Sequence, residues 1–189
     1  MNHLFKGSKL VVFVMMLSVM TGCAISGGKV PRAKLVAPAE NQTKPTLSYS
    51  INSSGPHSSG PHLTKKEFLE ELSKSQYFGE ITEESSEADI ELKVSLMTTG
   101  NLGDMVNASG FTFGIIPLVG TDNYTVVAQV NNKKGLKKFY TLENSVTFGL
   151  WLPLIVFTPF TYYTDENVRR NMYRNIIQQM YEDGFMGEI

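Results

Sequence analysis

The 189-residue sequence has one cysteine, one tryptophan and three histidines. One cysteine excludes an intrachain disulfide and any cysteine-rich metal cluster. Net charge is almost absent: 17 basic side chains stand against 18 acidic ones, leaving −1 at pH 7. That balance lacks the basic field that recruits nucleic acid by counterion release, and no acidic tract exists to keep the chain unfolded. Nucleic acid is therefore not an expected partner. The nucleotide loop Gly-x-x-x-x-Gly-Lys, the Gly-x-Ser-x-Gly elbow and His-Glu-x-x-His are all missing. What remains, 42% apolar and 19% charged, describes one ordinary globular domain.

The first 22 residues read as an export signal. Lys6 and Lys9 form a short basic region, an apolar run follows from Leu10 to Leu17, and Ser18, Thr21 and Gly22 are small or polar. From Leu10 to Met20 a helix would reach only about 16 Å, short of a hydrocarbon core of roughly 30 Å. The sequence Val19-Met20-Thr21-Gly22-Cys23 then resembles the lipobox of bacterial lipoproteins, with an apolar residue at −3, small residues at −2 and −1, and Cys at +1. The resemblance implies cleavage between Gly22 and Cys23, a diacylglyceryl thioether on Cys23, and N-acylation of the new terminus. Two or three acyl chains anchor a protein far more firmly than one. Ala24 stands where family members retained in the inner membrane commonly carry Asp. The resemblance thus implies an outer-membrane lipoprotein facing the periplasm.

Removing 22 of the 189 residues leaves 167. Residues 23–45 comprise the lipidated Cys and a Gly- and Pro-containing stretch expected to be a flexible tether. Residues 46–189 are expected to form a single domain. Leu47, Tyr49 and Ile51 alternate as a first strand. Two copies of Ser-Ser-Gly-Pro-His, at 53–57 and 58–62, read as a solvated loop. Its His57 and His62 lack nearby partners for a metal or a triad. A helix is expected from Thr64, with Thr64 and Glu67 as a capping box and Leu63 and Phe68 as a staple. Phe68, Leu69 and Leu72 form its apolar stripe.

Ile90, Leu92, Val94 and Leu96 define the clearest strand, with Glu91, Lys93 and Ser95 on the wet face. After a Gly/Asn/Asp loop at 99–110, residues 111–119 read as a strand broken by Pro117. Tyr124, Val126, Ala128 and Val130 alternate, residues 131–135 turn, and Tyr140, Leu142, Val146 and Phe148 answer them. Val168, Met172, Ile176 and Met180, with Tyr173 and Ile177, mark a final helix ended by Gly184. The expected fold is α+β: an antiparallel, partly mixed sheet of four or five strands with two helices on one face. The order is similar to the α+β domain of envelope lipoproteins such as the curli secretion and penicillin-binding-protein activator lipoproteins. Residues 72–78 (Leu-Ser-Lys-Ser-Gln-Tyr-Phe) and 88–94 (Ala-Asp-Ile-Glu-Leu-Lys-Val) carry that similarity. They contain no functional motif, so the similarity implies architecture alone.

Between Glu143 and Asp165 the chain has no charged residue. Three readings fit segment 144–164: a buried strand end with an apolar loop, a loop that dips into a bilayer or partner, and a membrane span. Pro153 and Pro159, each without an amide donor, oppose the span. Trp151, Leu152, Leu154, Ile155 and Phe157 are the candidate membrane or partner contacts. The pairs Glu70-Glu71 and Glu83-Glu84 read as solvated faces, and Asp89 and Asp104 as isolated acids. Lys133, Lys134, Lys137 and Lys138 form a basic hairpin tip, suited to keeping an edge soluble or to meeting anionic lipid or an envelope component. No catalytic residue, metal site or cofactor is expected. The sequence reads as a lipid-anchored binding or scaffolding lipoprotein with an envelope protein partner. The alternative is an oligomeric membrane-inserting secretion or assembly component that uses segment 144–164, compatible with a homo-oligomer.

Overall fold

The computed structural model describes residues 25–26, 30–38, 43–55, 61–101, 104–105, 107–108, 118–150 and 165–186. Six strands and two long helices appear in them: β1 (Ile25–Ser26), β2 (Thr46–Ser54), α1 (Pro61–Ser75), β3 (Glu80–Glu83), β4 (Ile90–Gly100), β5 (Leu118–Asn132), β6 (Lys137–Leu150) and α2 (Asp165–Glu182). They form one mixed sheet in the order β1-β6-β5-β4-β2-β3. The five strands longer than two residues, with both helices on one face, are the expected α+β fold.

The period-two residues fix the register. Val94 lies opposite Ala128, and Ala128 opposite Tyr140, so the apolar sets of β4, β5 and β6 share one face of an antiparallel meander. β2 runs parallel to β4, with Tyr49 beside Leu92, and α1 supplies the crossover that parallel pairing requires. The four-residue β3, expected only as a lead into an acidic turn, pairs parallel to β2 and closes that edge. The return through 84–89 places Glu84 in the left-handed region (φ 51°), and the Ser85 amide donates to Ser48 Oγ.

The helices bury the stripes their spacing indicates. Phe68 and Leu72 of α1 and Val168, Met172, Tyr173, Ile176, Ile177 and Met180 of α2 are all buried. Phe68 meets Tyr173 edge-on at 5.2 Å. Gly184 (φ 78°) stops α2, and the Phe185 amide turns back to the Met180 carbonyl.

Three sequence expectations need correction. First, α1 begins at Pro61 rather than Thr64. Proline's fixed φ and missing amide suit a first helical position, and they draw the end of the Ser/Gly/Pro/His repeat, with His62, into the helix. Second, Glu67 does not cap: both of its carboxylate oxygens accept from Arg169. Third, residues 30–38 of the expected tether lie along α2. The Asn171 carboxamide accepts from the Ala33 amide and donates to the Pro31 carbonyl, which Asn175 also engages. Val30 and Leu35 pack on the core, and the Tyr77 hydroxyl donates to the Val36 carbonyl. Tyr77 itself stacks on Tyr181 at 5.0 Å.

Candidate functional site

Chemistry requires polar groups that converge and remain free to exchange protons or ligands. The largest polar cluster lies between α1 and α2, which run parallel. Arg169 forks onto Glu67 at 2.9 and 2.8 Å, with both side chains at least nine-tenths buried. Arg170 reaches Glu70, Glu71 and Glu166, and Arg174 reaches Glu71. Glu71, expected on a solvated face, is 1% exposed. Burial raises its pKa, but hydrogen bonds from Arg174 and Arg170 outweigh that and hold it below the ordinary carboxylate value. Burial likewise works against the Arg170 charge, and its three glutamates more than restore it.

Two smaller clusters sit at the opposite end of the sheet. Asp89, expected to be isolated, accepts from both the amide and the hydroxyl of Thr46 and from Lys133. The Thr46 amide, then its hydroxyl, then Lys133 bring the Asp89 carboxyl down to about 2. Tyr140 donates to Asp183 at 2.7 Å, and Lys138 pairs with the same carboxylate. Burial, then Asp183, pushes the Tyr140 hydroxyl up, while Lys138, then Tyr140, lowers Asp183. The carboxyls of Glu71, Asp89 and Asp183 are driven down, and Arg170 and Tyr140 are driven up. Such shifts lock protonation states at neutral pH instead of poising a proton for transfer. These clusters are clasps: helix to helix, β2 to the hairpin turn, and β6 to the end of α2. Among the described residues, no three His, Cys, Asp or Glu side chains group as metal ligands, and no helix is long and apolar enough to cross a membrane.

The sheet face away from the helices has a different character. Phe139, Val127 and Met97 are 59%, 38% and 51% exposed. Phe139 lies opposite Gln129, two residues from Val127, and Val127 lies opposite Ser95, two residues from Met97. The three therefore form a diagonal apolar stripe across three adjacent strands. Lys137 and Glu143 flank it along β6. Each stands next to a buried residue of its own strand (Leu96, Val126 and Tyr140), and the diagonal emerges only from the cross-strand register.

The basic tip is partly neutralised. Lys133 pairs with Asp89 and Lys138 with Asp183, while the Lys137 ammonium lies 5.3 Å from the centre of the Phe139 ring. Asp104 is exposed in the connection after β4, which fits its reading as an isolated acid. His57, Gly22 and Cys23, the contact candidates Trp151, Leu152, Leu154, Ile155 and Phe157, and most of the strand expected at 111–119 lie outside the described residues. The described part of segment 144–164 is its beginning, which continues β6 to Leu150 opposite Leu118.

The described domain thus has charge-locked clasps between its helices and at the hairpin end of the sheet, and an open, mixed sheet face on the side away from the helices. No protein-family model and no curated protein sequence matches the chain. Solved structures do resemble it in fold. A minor lipoprotein from Acinetobacter baumannii is 11% identical, with 73% of this chain and 93% of that one covered, at a TM-score of 0.44. Rare lipoprotein B from Shewanella oneidensis is 13% identical over 72% of this chain and 95% of that one, with a TM-score of 0.40. The PelC dodecamer from Paraburkholderia phytofirmans is 9% identical over 81% and 95%, with a TM-score of 0.36.

Proposed function

We propose that the protein is an outer-membrane lipoprotein, acylated on Cys23 and facing the periplasm, whose α+β domain binds or scaffolds another envelope protein without catalysing a reaction. One observation carries this reading. The chain's single cysteine falls directly after a basic region, a short apolar run and a pair of small residues, at the position where a lipobox requires it. A free structural cysteine has no reason to occupy that place. The open sheet face, with its apolar diagonal flanked by Lys137 and Glu143, supports a contact role. Segment 144–164, with Trp151, Leu152, Leu154, Ile155 and Phe157, is the second proposed contact.

The anchor is tested by palmitate labelling in growing cells. Wild-type chain takes up label and migrates as the processed form, whereas Cys23→Ser takes up none and accumulates with its signal attached. Normal labelling of Cys23→Ser would refute the reading. Crosslinking in intact cells tests the binding role: one foreign partner supports scaffolding, and a ladder of self-crosslinked products supports the oligomeric membrane-inserting alternative.

A further inference from the structure

The site of lipidation and the architecture of the sheet are linked by β1. Ile25 pairs with Thr147 and Ser26 with Val146, so the chain enters the fold beside the last turns of β6. Cys23 is two residues upstream of Ile25, a separation of at most about 7 Å. β2, β4 and β6 all end at this pole and β5 begins there, because β2 and β4 are parallel and β5 runs antiparallel to both β4 and β6. The strand ends at this pole are also poor in charge. Residues 53–55, 99–101, 119–121 and 146–147 include no Asp, Glu, Lys or Arg, and the connection after β4 adds only the exposed Asp104 to the described residues there. Asp122, next in β5, is 2% exposed. Val119, at the rim, is 67% exposed, the highest value among the large apolar residues described. The uncharged stretch of sequence leaves the sheet from this same end, after Leu150.

The other pole is rich in charge. It holds Lys133, Lys134, Lys137 and Lys138 with Asp89 and Asp183. From Val119 to Asn131 along β5, at about 3.3 Å per residue, the two poles stand about 40 Å apart.

We infer that the strand-end pole around Val119, Thr121 and Thr147 rests on the anchoring leaflet of the bilayer, and that the lysine hairpin projects about 40 Å away from it. This rests on the acylation of Cys23 proposed above. The short reach from Cys23 to β1 holds the pole at the lipid surface, and its uncharged strand ends lower the desolvation cost of staying there. The lysine tip cannot meet the anionic headgroups of its own leaflet, since screening ends their attraction within about 10 Å. It is presented to a component deeper in the periplasm.

The acylated full chain in phosphatidylethanolamine/phosphatidylglycerol vesicles provides the test. Because the Cys23 thiol is consumed by the lipid, Val119→Cys, Asn123→Cys or Leu136→Cys supplies the only free thiol for an environment-sensitive fluorophore. All three positions are exposed, so the fold tolerates the change. With nitroxide-labelled lipids as quenchers, the label at 119 should be quenched at least threefold more than the label at 136, with 123 between them. Equal or reversed quenching in chains whose intact mass shows the acyl groups would overturn the orientation and leave the anchor standing. Chains whose mass shows no acyl group would instead overturn the anchor, and the orientation with it.

Discussion

Replacing Glu67 with Met takes the forked carboxylate away from an Arg169 that is 4% exposed. The pair makes two charge-assisted hydrogen bonds, at 2.9 and 2.8 Å. At about 1.5–3 kcal/mol each, their loss sums to roughly 3–6 kcal/mol, in line with the about 3–5 kcal/mol typical when one partner of a buried ion pair is removed. Removing both charges is a different perturbation. Glu67→Met with Arg169→Met exchanges a desolvated pair for apolar volume, which is expected to leave stability within about 1 kcal/mol of the parent. Urea denaturation of the mature chain carrying Cys23→Ser measures all four corners of the cycle. In thermal terms each single substitution should lower Tm by about 6–20 °C at 2–4 °C per kcal/mol, and the double should recover most of that. Additive losses in the double variant would refute the argument, because they would mean each side chain contributes through its own contacts rather than through the pair.

Asp89→Asn should cost about 1–2 kcal/mol at neutral pH and abolish a stability change in acid. The sign follows from the depressed carboxyl: its contribution is complete above the unfolded value near 4 and is lost as pH falls toward about 2. An unchanged acid limb in denaturation curves recorded between pH 5 and 2 would count against it. Combining Asn171→Ala with Asn175→Ala removes three hydrogen bonds to residues 31–33, so trypsin should cut after Arg32 and Lys34 roughly tenfold faster or more, with global stability reduced by less than the local change. Equal cleavage rates would show that the strap is held elsewhere. Gly100→Ala should destabilise the domain by at least about 1–3 kcal/mol in the same urea assay. Its φ is +154°, and an added Cβ would lie 2.2 Å from the Thr121 carbonyl oxygen. A neutral Gly100→Ala would mean that β4 and β5 shift apart at little cost.

The parts of the fold visible in the sequence were those set by a single element's own periodicity. Ile90, Leu92, Val94 and Leu96 announce a one-sided strand, and Val168, Met172, Ile176 and Met180 a one-sided helix, because burial acts on residues two or four apart. What could not be read depends on partners distant in sequence. Glu71 looks like a surface acid until Arg170 and Arg174, about a hundred positions later, are brought against it. Asp89 lacks a neighbour in sequence yet caps the start of β2, 43 residues earlier. Residues 30–38 have tether composition because their backbone is satisfied by Asn171, Asn175 and Gln178 rather than by a periodic apolar face of their own. β3 was obscured by its length: four residues with one central Ile carry too little alternation to register.

The strap also imposes an order in time. Residues 25–36 are the first of the mature chain to be made, yet their partners are Val146, Thr147, Asn171, Asn175 and Gln178, the last 138 to 144 positions away for the bonds to α2. The front of the chain cannot fasten until its tail has been synthesised. Loop closure over such a span comes late, after the β4-β5-β6 meander has offered its local pairings. The sheet and helices can therefore form while the N-terminal strand still hangs free. Until the strap closes, Val30 and Leu35 stay uncovered, an apolar pair that a chaperone could hold.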